Sequence, residues 1–170
     1  MSNRIVAGIV AGAAGVTALN VTSYLDMLVR GRPASDLPAR VAGKLADEMG
    51  LPLDFDVSGG EGAASDESDE DGAPETLGNR QEALGALLGM AKGVGIGVLY
   101  GVIRLIIPRP PAWLAGAALG SLAMAASDYP VARLGLTEPR DWSASDWAAD
   151  VLPHMCFGVV TALAFEAAKN

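Results

Sequence analysis

Apolar stretches alternate with polar segments along this chain, and the pattern predicts four long helices. The stretches cover about residues 5–25, 81–107, 112–129 and 146–168. Each has close to the 20 residues that a helix needs to cross a bilayer, where every backbone polar group must be bonded within the protein. The fold class that we predict is all-α: a polytopic membrane protein, with four transmembrane helices packed as an antiparallel bundle in a single membrane domain, residues 1–170.

Glycines recur at four-residue intervals in three of these stretches. They are Gly8 and Gly12 in the first, Gly85, Gly89, Gly93, Gly97 and Gly101 in the second, and Gly116 and Gly120 in the third. Glycine in a soluble helix costs about 1 kcal/mol relative to alanine, but in a membrane small residues at this spacing let two helix backbones approach closely. We therefore expect glycine-zipper packing, with the first and second helices as partners.

The first apolar stretch has an alternative interpretation as a cleaved signal peptide. In that case Arg4 would be its basic start, and the small residues near Ala18 would form the cleavage site. The Ala- and Gly-rich composition, and the apolar character that continues to Tyr24 and Leu25, favour a membrane helix instead.

Two polar elements lie between the first and second apolar stretches. Residues 35–49 predict an amphipathic helix, which either lies on the membrane surface or packs on the end of the bundle. Residues 54–79 are densely acidic and carry little apolar surface to offset the entropy of ordering, so they predict a disordered acidic loop. Such a loop is either a solvated spacer or a segment that attracts cations or docks a partner.

Ser143 and Asp146 predict a cap for the last helix.

Composition and charge agree with this division. Hydrophobic residues make up 51% of the chain and aromatic residues only 5%, while much of the net charge of −8 comes from the acidic loop. An acidic loop repels nucleic acid, so the expected partners are the lipid bilayer and other membrane subunits or a second copy of the chain. A single cysteine and a single histidine exclude an internal disulfide and a Cys/His zinc cage.

Basic residues near the ends of the stretches predict an orientation. Seven lie on the side of the first and third loops, and the other side has four: Arg4, Arg104, Arg109 and Lys169. The positive-inside rule then places the acidic loop in the cytoplasm and both termini outside. The predicted location is the plasma (inner) membrane, with several passes.

Four ionisable residues in the apolar stretches form a candidate intramembrane polar cluster: Lys92, Asp128, Asp150 and His154. Lys92 lies about 20° from Gly85 on a helical wheel and is expected to face a partner helix. Asp150 and His154 are four residues apart, so the carboxylate can orient the imidazole. Because histidine titrates between about pH 5 and 8, the cluster either responds to or passes protons, or it is a structural cluster that holds helices together.

Enzyme motifs are missing from the sequence. It contains no phosphate-binding P-loop, no G-x-S-x-G elbow and no H-E-x-x-H pair. We expect a protein that is not an enzyme, with no catalytic residues, metal ligands or cofactors. The alternative to a proton-responsive protein is an accessory or scaffold subunit of a larger membrane complex.

Roughly the last 35 residues carry one further pattern. It consists of Gly135, Leu136, Thr137 and Pro139, then Trp147, and then Asp150 four residues before His154. The pattern resembles the end of the YagU-like family of small bacterial inner-membrane proteins, although Pro153 stands where that family has glycine. The resemblance implies an inner-membrane protein with a role in acid resistance. Residues 22–27 and 30–35 similarly resemble membrane proteins of high-GC bacteria.

Overall fold

A computed structural model describes residues 2–54, 72–107 and 109–169, and the regular structure in these ranges is all helical. The α-helices are α1 (Ser2–Arg30), α2 (Leu37–Glu48), α3 (Gly72–Ile106), α4 (Ala112–Arg133) and α5 (Ala144–Ala168), with a short 3₁₀ turn at Pro139–Asp141. For the described part of the chain, the prediction of an all-α protein is confirmed.

Three of these helices are long and apolar enough to cross a membrane: Asn3–Arg30, Glu75–Ile106 and Ala144–Ala168. Large apolar side chains such as those of Leu28 and Val29 on α1 are exposed on them, as expected for helices surrounded by lipid. Helix α4 is not among the three, because Ser127 and Asp128 interrupt its apolar stretch. A fourth membrane span stays a prediction.

Local signals end the helices where the chain turns. Gly31 after α1 and Gly135 after α4 have φ angles of 62° and 67°, a left-handed conformation that glycine adopts without strain. The predicted cap of α5 is confirmed. The Ser143 side chain accepts a hydrogen bond from the Asp146 amide, and the Asp146 carboxylate accepts one from the Ser143 amide.

Helix α3 begins earlier than the sequence predicted. The acidic loop was expected to continue to residue 79, whereas the helix begins at Gly72. Glu75 in its first turn is favourable at the positive end of the helix dipole. Leu77 lines a cavity with Leu51 and Leu53, and Arg80 donates to the Leu53 carbonyl at 2.9 Å, so this turn has packing to stabilise it. Residues 55–71 of the predicted loop lie outside the described part of the chain.

Deleting residues 58–70 should leave membrane insertion and stability unchanged. The deletion stops before Gly72 and keeps the contacts of Leu77 and Arg80, and the entropy of closing a loop changes slowly with its length. The measurement is the amount of protein in the membrane fraction and its thermal unfolding in mild detergent. Loss of the protein from the membrane would show that the acidic segment is structural or docks a partner.

The chain forms two compact units, which share α3. One unit is residues 35–89, where Ala42, Gly43 and Ala46 of α2 are buried and Gly43 faces Gln81 of α3. A Cβ added at Gly85 would lie 2.6 Å from the Pro38 carbonyl carbon, so the two backbones are in contact. The buried face of α2 therefore consists of small residues.

The other unit combines residues 1–34 with 90–170, and α5 packs against both α1 and α4 within it. Phe157 and Phe165 of α5 are fully buried at its centre. The Tyr100 ring of α3 meets Phe165 edge to face, with ring centroids 5.0 Å apart. Alanines and glycines fill most of the remaining core, which brings the helix backbones unusually close together.

Candidate functional site

Close contacts of the helix backbones position the polar groups of this unit. A Cβ added at Gly8 of α1 would lie 2.6 Å from the Gly97 carbonyl oxygen of α3, and one at Gly12 would lie 2.8 Å from the Gly93 carbonyl oxygen. Real Cβ atoms do not approach a backbone this closely, so Gly8 and Gly12 accept only glycine while α1 and α3 are packed in this way.

Helices α4 and α5 approach each other in the same way. A Cβ at Gly120 of α4 would lie 2.7 Å from the His154 carbonyl oxygen, and one at Gly116 would lie 3.0 Å from the Val159 Cα. Gly158 of α5 faces both glycines and was missed from the sequence. Its spacing of four residues from Ala162 is the small-residue signal that would have identified it.

The five glycines of α3 do not share one partner. Gly97 and Gly101 face α1, and Gly93 faces the side chains of Val16 and Phe157. Gly85 instead faces α2, and a Cβ added at Gly89 would meet no atom within 4 Å. The reason is geometric: four residues advance a helix by 400°, so each step rotates the glycine by about 40° around α3. Only part of the glycine series therefore faces the helix that was predicted as its partner.

Lys92 lies on a different side of α3 from the contact with α1. Five residues separate it from Gly97, which places the two about 140° apart around the helix. Its ammonium group donates to the Ser127 hydroxyl of α4, so Lys92 faces α4 and not α1.

A chain of hydrogen bonds continues from Ser127 into α5. The Ser127 Oγ lies 3.3 Å from the His154 Nε2, and the same hydroxyl donates to the Ala123 carbonyl at 3.0 Å. On the other side of the ring, the His154 Nδ1 lies 2.8 Å from the Asp150 carbonyl oxygen and 3.3 Å from the Asp150 Oδ1. A continuous run of polar side chains thus crosses α3, α4 and α5. We call it the polar chain, and it consists of Lys92, Ser127, His154 and Asp150.

Asp128 lies beside the polar chain. Its carboxyl interacts electrostatically with Asp150, Lys92 and His154. The structure therefore brings together all four ionisable residues singled out in the sequence, and it adds Ser127, which the sequence did not distinguish from Ser121. Only the neighbouring helices identify Ser127, because no motif surrounds it.

The surroundings of the polar chain are largely closed to solvent. His154 is 8% exposed, and the Asp150 Oδ2 is buried without a hydrogen-bond partner. Buried polar atoms are rarely left unpaired, so this oxygen is the acceptor with spare capacity for a proton or a water molecule. Among the described residues, no group of three or more His, Cys, Asp or Glu side chains could hold a metal ion.

Comparison with known proteins adds no assignment to this geometry. No protein-family model, curated protein or solved structure matches the chain. What the site does is therefore inferred from its own atoms.

Proposed function

We propose that this chain is a multi-pass protein of a bacterial plasma membrane, a bundle of four membrane helices with glycine-zipper contacts, whose polar chain responds to or passes protons. The observation that carries the proposal is the unbroken run of groups from Lys92 through Ser127 and His154 to Asp150. Lys92, His154 and Asp150 can each bind or release a proton. The Ser127 hydroxyl can redirect its hydrogen bond from one neighbour to the other.

The hydrogen bonds of Ser127 depend on the charge of His154. Both neighbours of the His154 Nδ1 are acceptors, which favours a proton on that nitrogen. When the ring is neutral, Nε2 accepts the Ser127 hydroxyl proton, and the bond from Ser127 to the Ala123 carbonyl is lost. When the ring is protonated, Nε2 donates to the Ser127 oxygen, whose proton returns to Ala123. Rotation of one hydroxyl thus changes the hydrogen bonding of the oxygen to which Lys92 donates.

The charges around His154 favour an ionic response. Lys92 comes from α3, Asp128 from α4 and Asp150 from α5 itself, while Asp26 on α1 is paired with Arg30 and Arg32. With the lysine charged and both carboxylates of the cluster ionised, one negative charge is in excess when His154 is neutral and none when it is protonated. Inside a membrane protein an unbalanced charge is costly, so a proton taken up by His154, or by the neighbouring Asp128 and Asp150 carboxyls, restores the balance. The resemblance to the YagU-like family supports the same role in acid.

Proton flux and thermal stability in liposomes, measured from about pH 5 to 8, test this function. We expect a pH-dependent profile for the wild type, a profile for His154→Ala that lacks the contribution of the histidine, and for Ser127→Ala roughly a tenfold lower response, the cost of one lost hydrogen bond. Asp150→Asn should shift the midpoint but keep the histidine titration. Ser121→Ala is the matched control, because Ser121 is exposed on the same helix.

A flat, identical profile in the wild type and all variants would overturn the proton role. Lys92 and His154 would then be structural groups that hold the helices together, and the accessory-subunit alternative would be favoured. Purification in mild detergent distinguishes that alternative, because a scaffold subunit brings a stoichiometric partner with it.

A further inference from the structure

Independently of the polar chain, three basic side chains contact one carboxylate at an end of the unit formed by residues 1–34 and 90–170, and a fourth basic side chain bonds to the backbone beside them. The Glu166 carboxylate lies 2.9 Å from Arg104 of α3, 2.9 Å from Arg109 after α3, and 2.7 Å from Lys169 after α5. Arg4 of α1 donates to the Arg104 carbonyl oxygen. We call Arg4, Arg104, Arg109 and Lys169 the basic cluster. One carboxylate neutralises only one of its four charges.

Arg104 is the buried member of the basic cluster. Its side chain is 6% exposed, and only its Nη2 is bonded to Glu166. The Nε and Nη1 atoms are buried without a hydrogen-bond partner, and the rings of Tyr100 and Phe165 lie 6.0 and 5.8 Å from the guanidinium. Among the described residues this buried cation shares one carboxylate with two other cations, so it is under-neutralised there, and this favours a further anion nearby.

The exposed part of the basic cluster lies among apolar side chains. Arg109 is 71% exposed. Ile106, three residues before it, is 85% exposed, and Trp113, four residues after it, is 72% exposed. Exposed isoleucine on a membrane helix is expected to meet lipid tails, and exposed tryptophan is typical of the headgroup level. Arg109 therefore lies where the hydrocarbon ends and the phosphates of the lipids begin.

We propose that the basic cluster binds the phosphate of an anionic phospholipid headgroup. Arg109 and Lys169 contact the phosphate, and Arg104 supplies the buried positive charge behind them. Basic pockets between membrane helices recognise such headgroups, and arginine offers paired donors that match phosphate oxygens. A lipid is favoured over free phosphate because Ile106 and Trp113 provide an apolar surface for its acyl chains.

The test is a titration of phosphatidylglycerol into the full-length protein in neutral detergent, followed by thermal unfolding and native mass spectrometry. Phosphatidylcholine and inorganic phosphate are titrated in parallel. Phosphatidylglycerol should bind and raise the unfolding temperature, and the double variant Arg109→Gln/Lys169→Gln should bind it about 30-fold more weakly, equivalent to about 2 kcal/mol. The control Arg133→Gln/Arg140→Gln removes two exposed arginines elsewhere and should bind as the wild type does.

Equal binding of phosphatidylcholine, or equal binding of phosphatidylglycerol by the double variant, would overturn the proposal. Stabilisation by inorganic phosphate as strong as that by the lipid would also overturn it, because the site would then serve a free anion. If the double variant does not fold, Arg109→Gln alone changes one exposed side chain and should weaken binding about fivefold. The pH profile of His154 is unaffected by any of these outcomes, so the two proposals fail separately.

Discussion

Replacing Gly97 with leucine should destabilise the protein by about 3 kcal/mol, the upper part of the range for overpacking a core. A Cβ added at Gly97 would lie 2.6 Å from both the Cα and the amide nitrogen of Gly12. Both of those atoms belong to the α1 backbone, so no side chain can rotate away and the helices must separate. Thermal unfolding in mild detergent measures the loss.

Gly89→Leu is the matched control for this substitution. The two glycines lie eight residues apart on α3, but a Cβ at Gly89 would meet nothing within 4 Å. Leucine is also the better helix former, so this variant should be at least as stable as the wild type. Wild-type stability of Gly97→Leu would contradict the close contact of α1 with α3 and would indicate that this face meets lipid.

Replacing Glu166 with alanine should cost about 3–5 kcal/mol, the loss that follows when one partner of a buried ion pair is removed. Glu166 is the carboxylate that Arg104, Arg109 and Lys169 share. Without it, the buried Arg104 guanidinium keeps its charge and loses the one ionic partner that it has among the described residues. Thermal unfolding at neutral pH, in detergent without added anionic lipid, measures the effect.

Arg109→Ala provides the comparison for Glu166→Ala. It removes an ion pair with the same carboxylate, but from a side chain that is largely exposed, and exposed pairs contribute about 1 kcal/mol or less. A loss in Glu166→Ala no larger than in Arg109→Ala would show that Arg104 does not depend on the carboxylate. Such a result would also remove the buried charge from the basis of the lipid site.

The existence and approximate extent of the helices could be predicted from the sequence alone. Hydropathy and length depend only on consecutive residues, and the cap formed by Ser143 and Asp146 lies within four residues of chain. The early start of α3 could not be predicted in this way. It is accompanied by contacts of Leu77 and Arg80 with residues 51–53, which are more than 20 positions away.

The candidate site was predictable in part. Lys92, Asp128, Asp150 and His154 stand out in sequence because ionisable groups in apolar stretches are costly and therefore rare. Ser127 carries no comparable signal, since serine is common in membrane helices, and Gly158 is marked only by its spacing of four residues from Ala162. Arg104 and Glu166 were missed as a pair because 62 residues separate them and neither lies in a motif.

The sequence by itself thus determined that the described chain is helical, that three of its helices are apolar enough for a membrane, and which ionisable residues lie in the apolar stretches. Those properties follow from side-chain chemistry and from spacing along one helix. Only the tertiary structure decided which helix each glycine faces, that Lys92 turns to α4, and that Ser127 joins it to His154. The physical reason is that a four-residue spacing rotates by about 40° at each step, so the partner of a residue depends on how neighbouring helices pack around it.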